Sequence, residues 1–200
     1  MKNSFFKLGR TFAVVGAIAL LATSCQKEIS VDPNRDADML RNKPGTESIA
    51  ALAIANGNFT QLVAALQYVD AERNTGLVDL FLNGKDQYTV FAPTDAAFGE
   101  LYTALGVTSI EETNDPDLVL NVLLYHVTGG RRASNSVVPK NGVRTIETLL
   151  PNATFTVNNA AGIQAVGSSA NILVGQGLFD ISASNGVIHA IDAVLLPVKL

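Results

Sequence analysis

The 200-residue chain has a single cysteine, only two histidines and no tryptophan. One cysteine excludes an intrachain disulfide and a multi-cysteine metal site, so the fold must be held by its core. Zinc would need three or four soft or imidazole ligands, which two histidines cannot supply. No G-x-S-x-G elbow is present for a serine triad. Gly175-Gln176-Gly177 lacks the third glycine and the following helix of a phosphate loop. No enzyme constellation, metal or cofactor is therefore expected. Charge is also scarce, at 16% of residues, with a net of −4. Without a leader carrying Lys2, Lys7 and Arg10, 11 of the 14 basic residues face 18 acidic ones, a balance of −7. Such a chain lacks the basic footprint that nucleic acid requires. With no tryptophan and four tyrosines, a stacking platform for neutral sugars is not expected either.

What is present is organised around Tyr88–Leu101, YTVFAPTDAAFGEL. Tyr88 to Phe91 are strand formers. Pro93 removes a backbone donor and ends the strand. Thr94 is a favoured helix N-cap, and Asp95 places negative charge at the positive end of the helix dipole. Ala97, Phe98, Leu101, Tyr102 and Leu105 continue at helical spacing to a stop at Gly106. A catalytic reading of Asp95 would need a neighbouring carboxylate or histidine, and none is near in sequence. The pair reads as a cap, with Phe98 reaching back over Pro93.

Residues 1–24 read as a targeting segment, with a basic start and an apolar run from Thr11 to Thr23 that is short for a membrane span. The run leads through Ala22, Thr23 and Ser24 into Cys25. This resembles a bacterial lipoprotein signal, in which Cys25 is lipidated. An ordinary secretory signal with an incidental cysteine is the alternative. Residues 25–45 form the lipidated cysteine and a polar tether, with Pro33, Pro44 and Gly45. Residues 46–200 form one domain. Glu47–Asn56 and Phe59–Val69 show helical spacing, with Asn58 available to cap the second. Leu77–Leu82 reads as a shorter apolar turn. Asp115-Pro116-Asp117 is a strong helix start, and the run ends at Gly129-Gly130. His126 falls in its last turn, where a partly protonated imidazole would complement the dipole. From Ala153 onward FTVNN, GIQAV, NILVG and FDISA read as strands in antiparallel hairpins. Asn185-Gly186 is expected to form a tight turn, followed by a strand from Val187 to Leu196.

T-V-F-A-P-T-D-A-A-F, Tyr125-His126 in LLYHV, and NGVIHAIDAVLLP together resemble the three motifs of the fasciclin domain, in order, over about Thr46 to Pro197. Leu150-Pro151-Asn152 departs from the family, which often has a glycine there. The resemblance implies an α+β fold, with N-terminal helices packed on an antiparallel β-sandwich. It also implies a non-enzymatic adhesion or binding module. Tyr125-His126 and Asp180-Ile181 align with motifs implicated in integrin contact in animal members, so these four are candidate partner-binding residues; both pairs also read as fold residues, and His126 and His189 as satisfied core or near-core groups. Thr94, Asp95, Asn185, Gly186 and His189 are structural motif positions.

One further candidate comes from charge order. Arg131, Arg132, Lys140 and Arg144 fall in a stretch without acidic residues, a local positive patch suited to anionic glycans or lipid headgroups, with a merely solvated loop as the alternative. Arg131 and Arg132 are expected to be dispensable for folding. The expected protein is a binding module anchored by lipid in the bacterial envelope, at the outer membrane. Its expected partner is an extracellular protein or an anionic polysaccharide. The alternative is an accessory subunit of an outer-membrane glycan-uptake or surface assembly.

Overall fold

The computed structural model describes residues 44–175 and 177–199; the expected targeting segment, Cys25 and residues 26–43 lie outside them. Three helices come first: α1 (Ile49–Ala55), α2 (Thr60–Arg73) and α3 (Leu77–Asn83). Strand β1 (Tyr88–Pro93) then turns sharply into α4 (Asp95–Leu105). A single 3-10 turn at Glu111–Thr113 precedes α5 (Pro116–Tyr125) and β2 (Val127–Gly129). The rest is mostly strand: α6 (Ser134–Val137), β3 (Val143–Glu147), β4 (Thr154–Asn158), β5 (Gly162–Gln164), β6 (Ser169–Asn171), β7 (Ile181–Ala183) and β8 (Gly186–Ile191).

The strands form two four-stranded sheets, ordered β2-β1-β8-β7 and β3-β4-β5-β6. The second is antiparallel throughout. The first is mixed, because β8 pairs parallel with β1 along its length, from Tyr88 opposite Gly186 to Pro93 opposite Ile191. The two strands that carry the outer motifs are thus neighbours at the centre of the first sheet. Both faces of β1 are covered, which explains its continuous apolar wording. Val90 and Ala92 pack with the helices, and Phe91 packs with the inner face of the other sheet. Phe91 meets Phe155 edge-on at 4.9 Å.

The Thr94 corner forms as the local sequence dictates, with the Ala97 N–H donating to Thr94 Oγ1 at 3.4 Å. Two other helix starts, those of α2 and α3, are capped by side chains from outside the cap position. Asn58 does not cap α2; its side-chain amide donates to Asn56 Oδ1 instead. The cap is Asp95, whose carboxylate accepts from the Gln61 N–H at 2.8 Å and the Thr60 hydroxyl at 2.7 Å. Asp70 serves α3 in the same way, accepting from the Leu77 and Val78 N–H groups at 2.9 Å each. Partial burial raises the pKa of Asp70, but these bonds and one from Thr75 outweigh it and leave the carboxyl below its ordinary value. With its first turn satisfied, Leu77–Asn83 is a helix rather than an apolar turn.

Two expectations at the last hairpin are corrected. Ala183 pairs with Gly186, so the two-residue loop is Ser184-Asn185, one residue earlier than Asn185-Gly186. Gly186 is instead the first residue of β8. There a Cβ would stand 2.0 Å from the Tyr88 carbonyl oxygen. Strand β8 also ends at Ile191, not Leu196. Its partner β1 stops at Pro93, and the Thr94 N–H takes the Ile191 carbonyl at 3.2 Å as the chain turns away. NILVG contributes Asn171 to the end of β6 and, beyond it, only an isolated bridge between Ile172 and Ile191.

Candidate functional site around the motif histidines

His126 follows the last residue of α5 and is 2% exposed. Its Nδ1–H donates to the Val122 carbonyl at 2.6 Å, and its Nε2 accepts from the Leu195 N–H at 2.8 Å. One tautomer satisfies both bonds, and that tautomer is neutral. Burial pushes the pKa down to about 4, against the opposing pull of the Val122 carbonyl. The expected dipole-complementing, partly protonated imidazole is therefore corrected. His126 is a neutral strut tying α5 to the C-terminal segment. Tyr125 is fully buried beside it, its ring edge-on to Phe155 and its hydroxyl donating to the Thr154 carbonyl at 2.7 Å. Burial pushes the Tyr125 pKa up.

His189 lies on β8 between the rings of Phe91 and Phe179, at 5.7 and 4.9 Å. Its Nε2 lies 2.9 Å from the Arg132 carbonyl, and the Asp180 N–H approaches its Nδ1 at 3.3 Å. Nε2 is therefore the protonated nitrogen. Burial lowers the pKa, opposed by the Arg132 carbonyl and the Asp180 carboxylate. Asp180 Oδ1, 3.7 Å from Nδ1, accepts from the Ser134 N–H at 2.7 Å. This is a carboxylate beside a neutral ring. Asp180 adopts a left-handed conformation with φ 56°. Ile181 is half-buried and opens β7, opposite Ile188.

The basic segment is not a uniform free patch. The Arg131 Nη1 donates to the carbonyls of Ala183 at 2.9 Å and Gly186 at 2.7 Å, and its Nη2 to the Ser182 hydroxyl. It holds the β7–β8 hairpin against the turn after β2, so its expected dispensability is corrected. Burial lowers its pKa, and Asp180 opposes this. Arg132 is held through its backbone, whose N–H donates to Thr89 Oγ1 at 2.8 Å. Its side chain reaches the Gly129 carbonyl at 3.4 Å. Arg144 donates to the Ser136 carbonyl, while Lys140 is exposed.

Asn185 is more than a turn residue. Its Oδ1 accepts from the Ile49 N–H at 2.8 Å, and its Nδ2 donates to the Phe81 carbonyl at 2.9 Å. It joins the start of α1 to the end of α3. Sequence reading missed this role and that of Thr89 because each partner is distant in the chain; it also missed Asp70, whose partners lie only five to eight residues on. The structure thus gathers His189, Asp180, Arg131 and Arg132 around the β7–β8 hairpin. Tyr125 and His126 sit separately, at the end of α5. Among the described residues no group of histidine, cysteine, aspartate and glutamate could hold a metal ion, and no helix is long and apolar enough to cross a membrane.

Residues 57–197 match the fasciclin domain, and the chain belongs to that family. The family is non-enzymatic. The chain is 32% identical over 178 residues to the immunogenic protein MPB70 of Mycobacterium bovis, covering 89% of this chain and 82% of that protein. It is 29% identical to the cell surface glycolipoprotein MPB83 of the same species, covering 76% of this chain and 61% of the relative. It is 34% identical to the transforming growth factor-beta-induced protein ig-h3 of Sus scrofa, covering 71% of this chain but 18% of that protein.

Proposed function

We propose that the chain is a binding module presented at the bacterial surface, held to the outer membrane by lipid on Cys25 and a polar tether of about twenty residues. One observation carries this reading: the chemistry-bearing side chains of the motifs are turned inward. Tyr125, His126, His189 and Arg131 all hold partners within the fold. What remains for function is surface. The name of one relative, a cell surface glycolipoprotein, supports the anchored placement. Arg131 and Arg144 are tied to internal carbonyls, which favours a protein partner over an anionic polysaccharide.

The test expresses the full chain with Cys25 or with Cys25→Ala, fractionates the cells and treats intact cells with protease. The Cys25 protein is expected in the membrane fraction and to be digested on intact cells, and Cys25→Ala is expected to be soluble. A Cys25 protein that is soluble, or membrane-bound but protected from protease, contradicts surface presentation through the anchor.

A further inference from the structure

Helices α4 and α5 both pack on α2, and between them an apolar cleft opens to solvent. Its floor includes Leu62 and Leu123, and its mouth includes Leu105, Leu118 and Val198. Those three mouth residues are 39%, 37% and 50% exposed. The spacing is ordered. Leu101 and Leu105 on α4 lie four residues apart, as do Leu118 and Val122 on α5, so each helix offers a ridge along the cleft. Such a pair of ridges is suited to receiving a third helix.

The rim is acidic. From Asp86 to Gly130 the chain has seven carboxylates and no lysine or arginine. The α4–α5 connection contributes Ile110 to the cleft lining, with Glu111, Glu112 and Asp115 exposed beside it. A bond from Ser109 to Glu111, and the Thr108 backbone and side-chain bonds to Glu112, lower the pKa of both groups. Both are therefore ionised at neutral pH. Asp117 is partnered by Arg73 at 2.7 Å, and the same guanidinium is attracted to Asp115; Glu111 and Glu112 have no ion-pair partner within 4 Å among the described residues.

We propose that this cleft receives a cationic amphipathic helix of a partner protein, whose apolar side chains enter between α4 and α5 while its lysines or arginines face the carboxylates of residues 111–115. Charge complementarity selects this occupant. Anionic lipid headgroups and acidic polysaccharides are repelled by the same rim. A second copy of this acidic chain is disfavoured for the same reason. The inference rests on the reading of the chain as a binding module and names the kind of partner that it takes.

The test uses the full mature chain and a labelled synthetic helix of about 16 residues, with leucines at i, i+3, i+4 and i+7 and lysines elsewhere. Two control peptides replace the leucines with serine or the lysines with glutamate. Fluorescence anisotropy at low and moderate salt is expected to show binding of the first peptide alone, weakening with salt. Leu105→Ser with Leu118→Ser should weaken it at least about tenfold, as expected for hot-spot side chains. Glu111→Gln with Glu112→Gln should weaken it several-fold and flatten the salt dependence. Val143→Ser, an exposed apolar site on β3, should leave it unchanged. A photoreactive group at the centre of the peptide should label α4 or α5 of the unaltered chain, so the location is tested even if the double variant does not fold.

Labelling elsewhere, equal binding of the serine peptide, or full affinity in a folded Leu105/Leu118 variant overturns the cleft. Self-association that disappears in that variant also overturns it, in favour of a second copy. Loss of the cleft with Cys25-dependent surface display intact leaves the proposed function standing.

Discussion

Replacing Asn185 with alanine should be among the most damaging single changes outside the apolar core. The side chain is 3% exposed and bridges two helices that its local sequence does not mention. The Ile49 N–H is a first-turn donor with no partner inside α1, and the Phe81 carbonyl lies in the last turn of α3. Asn185→Ala leaves one donor and one acceptor without partners in a buried place. Each costs about 1–3 kcal/mol, giving a loss of about 2–6 kcal/mol. Against a typical total of about 5–15 kcal/mol this is a large share. Urea unfolding should show a midpoint lowered by about 1–3 M with little change in slope. Asn185→Asp keeps the acceptor but sets a carboxylate against the Phe81 carbonyl, so at neutral pH it should be at least as damaging. Ser184→Ala, in the exposed half of the same loop, should be nearly neutral. A loss below about 0.5 kcal/mol for Asn185→Ala would refute the bridging role.

Asp95→Ala should cost about 1–2 kcal/mol, because it uncaps α2 while leaving its own helix α4 capped by Thr94. Thr94→Ala should cost about 1 kcal/mol, and urea midpoints check both. Arg131→Glu should lower stability by at least about 2 kcal/mol, with Arg131→Lys failing to restore it, since a single ammonium cannot reach the hydroxyl and two carbonyls together. Lys140→Glu, on the exposed part of the same segment, should stay within about 0.5 kcal/mol. Acid should weaken the fold through the histidines. The unfolded chain takes up a proton near the ordinary value of 6.5, while folded His126 holds out until about 4. Its contribution is therefore complete above about 6.5 and declines as pH falls toward 4, by up to about 3 kcal/mol. His189 adds to the loss in the same direction. A urea midpoint that stays flat between pH 7 and 4.5 would contradict this.

The parts of the fold legible in the sequence are those whose causes are local. Strand, corner and helix over Tyr88–Leu105 follow from strand formers, Pro93, a capping threonine and helical spacing, all within a few residues. The start of α5 at Asp115-Pro116 is legible for the same reason, and Leu118 N–H indeed donates to Asp115 Oδ1 at 2.9 Å. Several expectations failed where the partner is remote. Asp95 looks like an ornament of its own helix, yet its carboxylate caps a helix that begins 35 residues earlier. Arg131 reads as a solvated cation until the β7–β8 hairpin, more than 50 residues away, supplies carbonyls for it. The parallel pairing of β1 with β8 could not be read from either strand alone. The cleft between α4 and α5 was hidden because Leu105 and Leu118 look like ordinary core positions in helical spacing.

The central claim is that the motif histidines are buried, neutral parts of the framework. Nitrogen-15 NMR of the imidazoles across pH 8 to 5 tests it without any ligand. His126 should appear as the Nδ1–H tautomer and not titrate in that range, and His189 should appear as the Nε2–H tautomer and titrate below the ordinary imidazole value. A histidine that titrates near 6.5 with a free ring nitrogen would contradict the account and return that residue to the surface.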